Sequence, residues 1–414
     1  MAERRLYCLE RRLAVDVDLY NKVRSKIADY QRKGYAHKLT VDELKRSDPR
    51  RIWYLPLGVV VNPKKPNKVR IVWDAAAKVS NFSFNSMMLA GPDLLSSLIG
   101  VLFRYRQREI AVAADIKEMF HQIQIQQDDR SSQRFLWRDN PTLPIDTFVM
   151  DVAIFGSKCS LCSSQYVKNL NAREHEEKYP RASVAIQQNH YVDDYLDSFD
   201  TEEEAVEIAN EVKTVHAKAG FEIHIWLSNS RKVIESIGDA ASEDSKQFLI
   251  EKGNECERFL GIVWFPKEDV IRFTLLLRSD LKLLIENGTL PTKRELLRFV
   301  MSFFDPLGLI ATFVIHGKIM LQDVWKSGVG WDDKIPTVIH SRWSRWVRLL
   351  ENLTSITIPR CYFSGYDPRS YNKLELHIFA DASEAAYACV AYFRIMDKGQ
   401  IRCALVSLKA RWLR

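Results

Sequence analysis

Two aspartates stand side by side, Asp193 and Asp194, in the string Tyr191-Val192-Asp193-Asp194-Tyr195-Leu196, among aromatic and aliphatic neighbours. Carboxylates about 4 Å apart repel by roughly 4 kcal/mol at an effective dielectric near 20. In so apolar a setting the pair asks for a compensating cation, and hard divalent ions with oxygen ligands are the natural candidates. A third acid, Asp115, closes another short apolar run, EIAVAADI. Three such acids suit a two-ion site, in which ions about 3.5–4 Å apart activate an attacking hydroxyl and stabilise a leaving pyrophosphate. Adjacent acids are also common in ordinary turns, and the four letters alone leave that alternative open.

The elements that must carry these acids are legible from spacing. HYVDDYLDSF is β-prone with acids at its middle, and MFHQIQI continues from Met119 after the run that ends in Asp115. Upstream, WYLPLGVVV from Trp53 and VRIVW from Val69 read as strands, separated by a Pro- and Lys-rich turn over 62–67. A capping box of Thr201 and Glu204 opens a helix that Gly220 stops, with Ala205, Ile208, Val212, Val215 and Ala219 on one face. A second box, Thr292 with Glu295, opens a helix carrying Leu296, Val300, Phe303 and Phe304, limited by Pro306. Residues 5–46 read as helical and polar, with basic clusters around Arg11, Arg12, Lys22 and Arg24 that form a solvated face. Strands alternating with helices imply an α+β or α/β architecture built on a sheet.

Composition sets the outer bounds. A chain of 414 residues is long enough for two to four packed units. Lys and Arg total 60 against 53 acids, a balance of +7 that suits a polyanionic partner without requiring one. Seven scattered cysteines are too few for a disulfide scaffold and point to a reducing compartment. Cys159 and Cys162 have half-zinc spacing but no second such pair accompanies them, so they read as small buried residues. The start, MAERRLYCLERRL, lacks the apolar stretch of a signal peptide, and no apolar run approaches a membrane span.

In matching order and spacing from about residue 5 to residue 414, the chain resembles the reverse transcriptases of Pao/BEL long-terminal-repeat retrotransposons. YVDD is similar to that family's catalytic loop and ADIKEMF to the strand with its first catalytic aspartate, so the resemblance assigns Asp115, Asp193 and Asp194 as catalytic metal ligands. It groups Tyr191 with the substrate-binding residues. VRIVWDAAAKVSNFSFNSMMLAGPDL resembles the fingers motif, which implies that Arg70 grips the nucleotide triphosphate with Lys68 as a second cation. FGSKCSLCSSQ resembles the motif lining the nascent base pair, placing Gly156, Ser160 and Gln165 there. Phe120 corresponds to the sugar gate that excludes a 2′-hydroxyl; on pattern alone it is a core aromatic. Trp53, Tyr54, Trp73 and Trp137 offer stacking platforms, but core positions are the commoner fate. FLGIVW around Gly261 resembles the primer-grip hairpin, and FFDPLGLIATFVIHGKIMLQDVW a connecting region peculiar to Pao-type elements. Two positions depart from the family pattern: Leu57 replaces a histidine, and Ile225, in AGFEIHIW, replaces a lysine. His224 is titratable and adjacent, but strand alternation would turn it away from the site.

The expected fold is α+β, a right-hand polymerase of fingers, palm and thumb/connection with a truncated ribonuclease H-like start. Its parts are a helical lead-in over 1–50, fingers and palm over 51–240, primer grip, thumb and connection over 241–372, and a ribonuclease H-like segment over 373–414. LHIFADASEAAYACVAYF carries Asp381 at that segment's first metal position, with the later ligands lying beyond Arg414. The implied function is RNA-directed DNA polymerisation, a nucleotidyl transfer supported by two Mg²⁺ or Mn²⁺ ions. The partners are an RNA or DNA template-primer and deoxynucleoside triphosphates, with no membrane and with the oligomeric state open. The cytoplasm, in a virus-like particle, or the nucleus is the implied setting. The rival is a decayed or domesticated fragment that binds nucleic acid without polymerising.

Overall fold

The amino-terminal residues place an apolar side chain every third or fourth position, and they fold accordingly. The computed structural model describes residues 1–62, 65–237, 257–260, 262–273, 277, 279–365, 373–397 and 399–413, with the side chains of 62–68 and 257–259 outside the description. Helix α1 (Ala2–Val15) buries Leu6, Leu9 and Leu13. Helix α2 (Val17–Arg32) starts at Asp16, whose carboxylate accepts from the Leu19 amide at 2.9 Å, and buries Leu19, Val23, Ile27 and Tyr30. The polar reading of this stretch therefore missed its core-facing stripe.

The chain forms two compact units, one of Met1–Leu95, Ile116–Lys178 and Val215–Glu222, the other of Ser96–Asp115, Tyr179–Thr214 and Ile223–Arg414. After α2 the first unit continues with β1 (Ala36–Lys38), α3 (Val41–Arg46), and an antiparallel hairpin of β2 (Leu57–Asn62) and β3 (Lys65–Trp73). The second strand thus begins at Lys65, inside the segment read as a turn. Helix α4 (Leu98–Tyr105) and β4 (Ile110–Ile116) follow, and the chain passes into the first unit after Asp115. There α5 (Gln127–Arg130), β5 (Arg134–Trp137), β6 (Asp146–Met150) and α6 (Ser160–Glu174) complete the fold. Strands β1, β6 and β5 make an antiparallel sheet whose side chains join α1, α2 and the hairpin in one core around Trp73, Phe135 and Trp137. MFHQ, the start of the run after Asp115, is a short 3-10 turn, Met119–Gln122.

The second unit carries α7 (Pro180–Gln188), β7 (His190–Tyr191), β8 (Asp194–Phe199), α8 (Glu202–Lys218) as far as Thr214, β9 (Ile223–Ser228) and α9 (Arg231–Ser236). Its central sheet runs β7-β8-β4-β9. Ala111, Val112, Ala113 and Ala114 of β4 are all fully buried, as expected of a strand covered on both faces. Helix α8 starts as expected, with Thr201 Oγ1 accepting from the Glu204 amide at 3.2 Å; the Glu204 carboxylate reaches back to the Asp200 amide at 3.1 Å. Gly220 closes the turn beyond it at φ +74.

Further along, β10 (Glu257–Phe259), β11 (Ile262–Phe265), β12 (Val270–Arg272) and β13 (Thr357–Pro359) form an antiparallel sheet. Gly261, at the centre of the expected primer-grip hairpin, and residues 238–256 lie outside the described residues. The helix Lys293–Met301 has the full Thr292/Glu295 capping box and packs Leu296, Phe299 and Val300 on Trp343 and Trp346. It ends before Phe303 and Phe304, where Pro306 approaches. Strands β14 (Lys373–Ala382), β15 (Ala386–Asp397) and β16 (Gln400–Trp412) form an antiparallel sheet, with Asp381 exposed on β14. Arg360, fully buried, ties this unit together: its guanidinium donates to Asp269 at 2.6 and 2.7 Å and to the carbonyls of Tyr105, Arg108 and Glu109. No helix among the described residues is long and apolar enough to cross a membrane.

Candidate active site

The three acids sit on one sheet. Strands β7 and β8 pair Tyr191 with Asp194 across a two-residue turn, Val192-Asp193. Val192 takes φ +61, which a β-branched residue adopts only under strain on the order of 1–3 kcal/mol. A positive φ at the first turn position alone is the type II′ pattern, matched to the strand twist of a tight hairpin. On its other edge β8 pairs with β4 in the register that sets Asp194 opposite Asp115. Two carboxylates from neighbouring strands and a third at the turn therefore share one end of the sheet.

Their electrostatics follow from that crowding. Burial, then the charges of Asp193 and Asp115, push the Asp194 carboxyl up to about 7. A carboxyl perturbed in this way, by burial and by like charges, is typical of functional sites. His224 Nε2 lies 3.2 Å from Asp115 Oδ2. This corrects the expectation that His224 turns away: Ile225 has φ +54, and the left-handed residue breaks the alternation of β9. Among the described residues, no three His, Cys, Asp or Glu side chains are gathered closely enough to cage an ion unaided.

The other expected site residues divide between the units. Tyr191, partly buried, packs on the cluster of Leu102, Leu196 and Trp264 in the second unit. In the first, Arg70 is exposed on β3 opposite Val60, with no hydrogen-bond or ion-pair partner among the described residues. Lys68 lies on the same strand with its side chain outside the description. Gly156 has φ +104, and a Cβ there would stand 2.9 Å from the Trp73 carbonyl oxygen, so only glycine fits. Ser160 donates to the Ile154 carbonyl at 2.8 Å, and Gln165 is buried on α6 with Nε2 3.9 Å from Met119 Sδ. Phe120 is half-buried on the 3-10 turn, its ring 4.8 Å from that of Phe155 at 65°. Trp73 and Trp137 are core residues, whereas Tyr54 is 36% exposed. Cys159 and Cys162 are free thiols of intermediate exposure.

Sequence reasoning missed three groups. His224 was hidden by a backbone irregularity that spacing does not encode. Glu118 is bonded to Lys26 and Lys33, partners far away along the chain. Lys168 on α6 is 1% exposed, and burial alone lowers its ammonium to about 7.

Comparison with known families places these elements. Residues 63–225 match a reverse transcriptase (RNA-dependent DNA polymerase) family model, and residues 292–413 match a Pao retrotransposon-like RNaseH-like domain. Among solved structures the chain is similar to a foamy viral protease-reverse transcriptase in complex with double-stranded DNA, at 17% identity and TM-score 0.57, covering 95% of this chain and 56% of that one. A foamy viral protease-reverse transcriptase in complex with RNA/DNA hybrid gives 16% identity and TM-score 0.56 over 96% of this chain and 43% of that one. The chain thus spans about half the length of these two proteins. No curated protein matches it. The fold is accordingly of the α+β right-hand polymerase class, with a ribonuclease H-like segment towards its end.

Proposed function

The chain belongs to the Pao/BEL-type retrotransposon reverse transcriptases, and we propose that it adds deoxynucleotides to a primer 3′-end by two-metal nucleotidyl transfer on an RNA or DNA template. The observation that carries this reading is the register of β4 against β8, which sets Asp115 opposite Asp194, one residue from Asp193 in its strained turn. The donor set fits Mg²⁺ or Mn²⁺: three carboxylates, one of them with its pKa raised to about 7 by burial and then by the charges of the other two. Mg²⁺ is commonly held by one or two carboxylates together with substrate phosphates rather than by an all-protein cage. Asp115, Asp193 and Asp194 would hold the ions, which when bound activate the primer hydroxyl and stabilise the leaving pyrophosphate.

The remaining roles belong to side chains of this chain. Arg70, exposed and unpaired among the described residues, offers a fixed fork of donors for phosphate oxygens, with Lys68 beside it in sequence. Phe120 would stand under the ribose and exclude a 2′-hydroxyl. Gly156 admits close approach of its backbone, and Gln165 and Tyr191 brace the surroundings of the nucleotide. His224 holds one Asp115 oxygen and so orients the other. The fingers and palm would fall within 51–240 and the thumb and connection within 241–372, with the cytoplasm, in a particle, or the nucleus as the setting.

One observation favours a second reading, in which the fragment binds nucleic acid but polymerises slowly or not at all. Where the family pattern has a lysine, Ile225 carries no proton to give the departing pyrophosphate. Extension of a primed RNA template by the purified chain separates the readings. Mg²⁺-dependent extension that Asp193→Asn removes supports polymerisation; template-primer binding with no extension at any Mg²⁺ or Mn²⁺ concentration supports the second.

A further inference from the structure

Glu118 stands three residues after Asp115 and two before Phe120, in a backbone conformation that its side chain does not favour. It has φ +49 and ψ 39, the left-handed region, and caps the 3-10 turn Met119–Gln122, accepting the His121 amide at 2.8 Å. For a residue other than glycine, asparagine or aspartate this conformation persists only where surroundings enforce it. The surroundings here are specific. Lys26 Nζ of α2 lies 3.1 Å from Glu118 Oε1, and Lys33 Nζ, at the cap of α2, lies 2.8 Å from Oε2. Tyr35 donates its hydroxyl to Oε2 at 3.1 Å and accepts from Gln122 Nε2 at 2.9 Å, which closes a ring of bonds around the turn. Asp29 engages the same two lysines at 3.2 and 3.1 Å and so holds them in place. These groups are partly shielded, with side-chain exposures of 22% for Glu118, 28% for Lys26 and 30% for Lys33.

The turn so gripped carries two rings in opposite settings. His121 is buried in a box of Tyr30, Tyr35, Phe155 and Trp73, at centroid distances of 5.2, 5.2, 5.4 and 6.3 Å. Phe120 projects beside it and packs edge-on against Phe155. Any rotation of the Glu118 backbone towards an ordinary conformation would swing both rings. We propose that Glu118, clamped by Lys26 of helix α2 and Lys33 at its cap, is a positioning residue that fixes the aim of Phe120 and thereby sets discrimination between deoxyribo- and ribonucleotides. The inference rests on the reading of Phe120 as the sugar gate. It adds that helix α2 is part of the fidelity apparatus. Burial pushes the Glu118 carboxyl up, but its bonds to Lys33 and Lys26 outweigh that and hold it at about 2, so the clamp stays charged at neutral pH.

The experiment measures kcat/KM for a deoxynucleotide and the matching ribonucleotide during primer extension, together with Tm, for wild type, Phe120→Ala, Glu118→Gln and the double variant Lys26→Met/Lys33→Met. A misplacement of about 1 Å is enough to change such a contact by an order of magnitude or more. Glu118→Gln and the double lysine variant are each expected to lower the deoxy-to-ribo ratio by about tenfold, through faster ribonucleotide use, with deoxynucleotide turnover within a few-fold of wild type. The charge-swapped Glu118→Lys/Lys33→Glu chain should recover part of the ratio. If Phe120→Ala lowers the ratio while both clamp variants leave it at the wild-type value, the positioning role is overturned and the gate stands. If Phe120→Ala leaves the ratio unchanged, the gate reading itself fails and the inference falls with it. Should Glu118→Gln not fold, the lysine variant decides alone.

Discussion

His224 Nε2 and Asp115 Oδ2 face each other across 3.2 Å, although simple alternation along β9 would have turned the imidazole to the other side of the sheet. An ionised carboxylate only accepts, so the ring donates through Nε2–H and fixes one Asp115 oxygen. Outer-shell partners of metal ligands typically contribute about 10–100-fold to metal affinity or activity. His224→Ala should therefore raise the Mg²⁺ concentration needed for half-maximal extension by about tenfold, and His224→Gln should restore most of it. Isothermal titration of Mn²⁺ into the template-primer complex reads the same change without turnover. Equal Mn²⁺ affinity in wild type and His224→Ala would remove the orienting role.

Ile225 makes that arrangement possible at a cost, because a β-branched residue at φ +54 is strained. Ile225→Asn, which tolerates this region, should raise stability by about 1 kcal/mol in denaturant unfolding. Ile225 is only partly buried, so Ile225→Lys should keep Tm. Its single-nucleotide incorporation under saturating nucleotide should rise by up to the 10²–10⁴-fold that general acids typically supply. A lower Tm with no gain in rate would refute the proton-donor account.

Lys168 gives a stability prediction with a definite pH dependence. Burial lowers its pKa from 10.5 to about 7 in the folded chain. Between those values the unfolded chain binds the extra proton, so this group makes stability rise with pH; below about 7 both states are charged and the whole burial cost is borne. Lys168→Met removes the cost and should stabilise by a few kcal/mol at pH 6.5, on the order of the pKa shift converted to free energy. The advantage should shrink towards pH 10. A Tm difference independent of pH between 6.5 and 10 would show that Lys168 keeps its ordinary pKa.

Arg360 and Asp269 carry the opposite expectation. Removing one partner of a buried pair leaves an uncompensated charge and typically costs about 3–5 kcal/mol. Arg360→Met should destabilise by that order, since three carbonyls lose their donor as well. Asp269→Asn in the same chain should recover part of the loss, a coupling that a double-mutant cycle measures. Strictly additive losses would mean that the pair is not coupled.

Much of the fold was written in local sequence. The Thr292/Glu295 box formed as read, and YVDD forms a short hairpin that fixes its own register around Asp193 and Asp194, whereas Asp115 joins them only through the long-range pairing of β4 with β8. What spacing did not reveal depends on distant partners or on backbone irregularity. The stripe of Leu6, Leu9 and Leu13 was masked by the arginines between its members. The left-handed residues Glu118 and Ile225 follow from contacts and sheet geometry, not from propensity, so neither the clamp nor the His224 contact was foreseeable. Lys168 lies in the mixed run Tyr166-Val167-Lys168-Asn169-Leu170, and its burial is a property of the packed helix alone.

The central claim is that Asp115, Asp193 and Asp194 form one metal-dependent transfer site. Its most direct test is single-nucleotide incorporation by Asp194→Asn at saturating Mg²⁺ and nucleotide, with template-primer affinity measured on the same preparation. Phosphate contacts made elsewhere carry most of the binding, so affinity should stay within a few-fold. Incorporation should fall below about a hundredth of wild type, a loss beyond that of an outer-shell partner. Incorporation at the wild-type rate with Asn at position 194 would contradict the account.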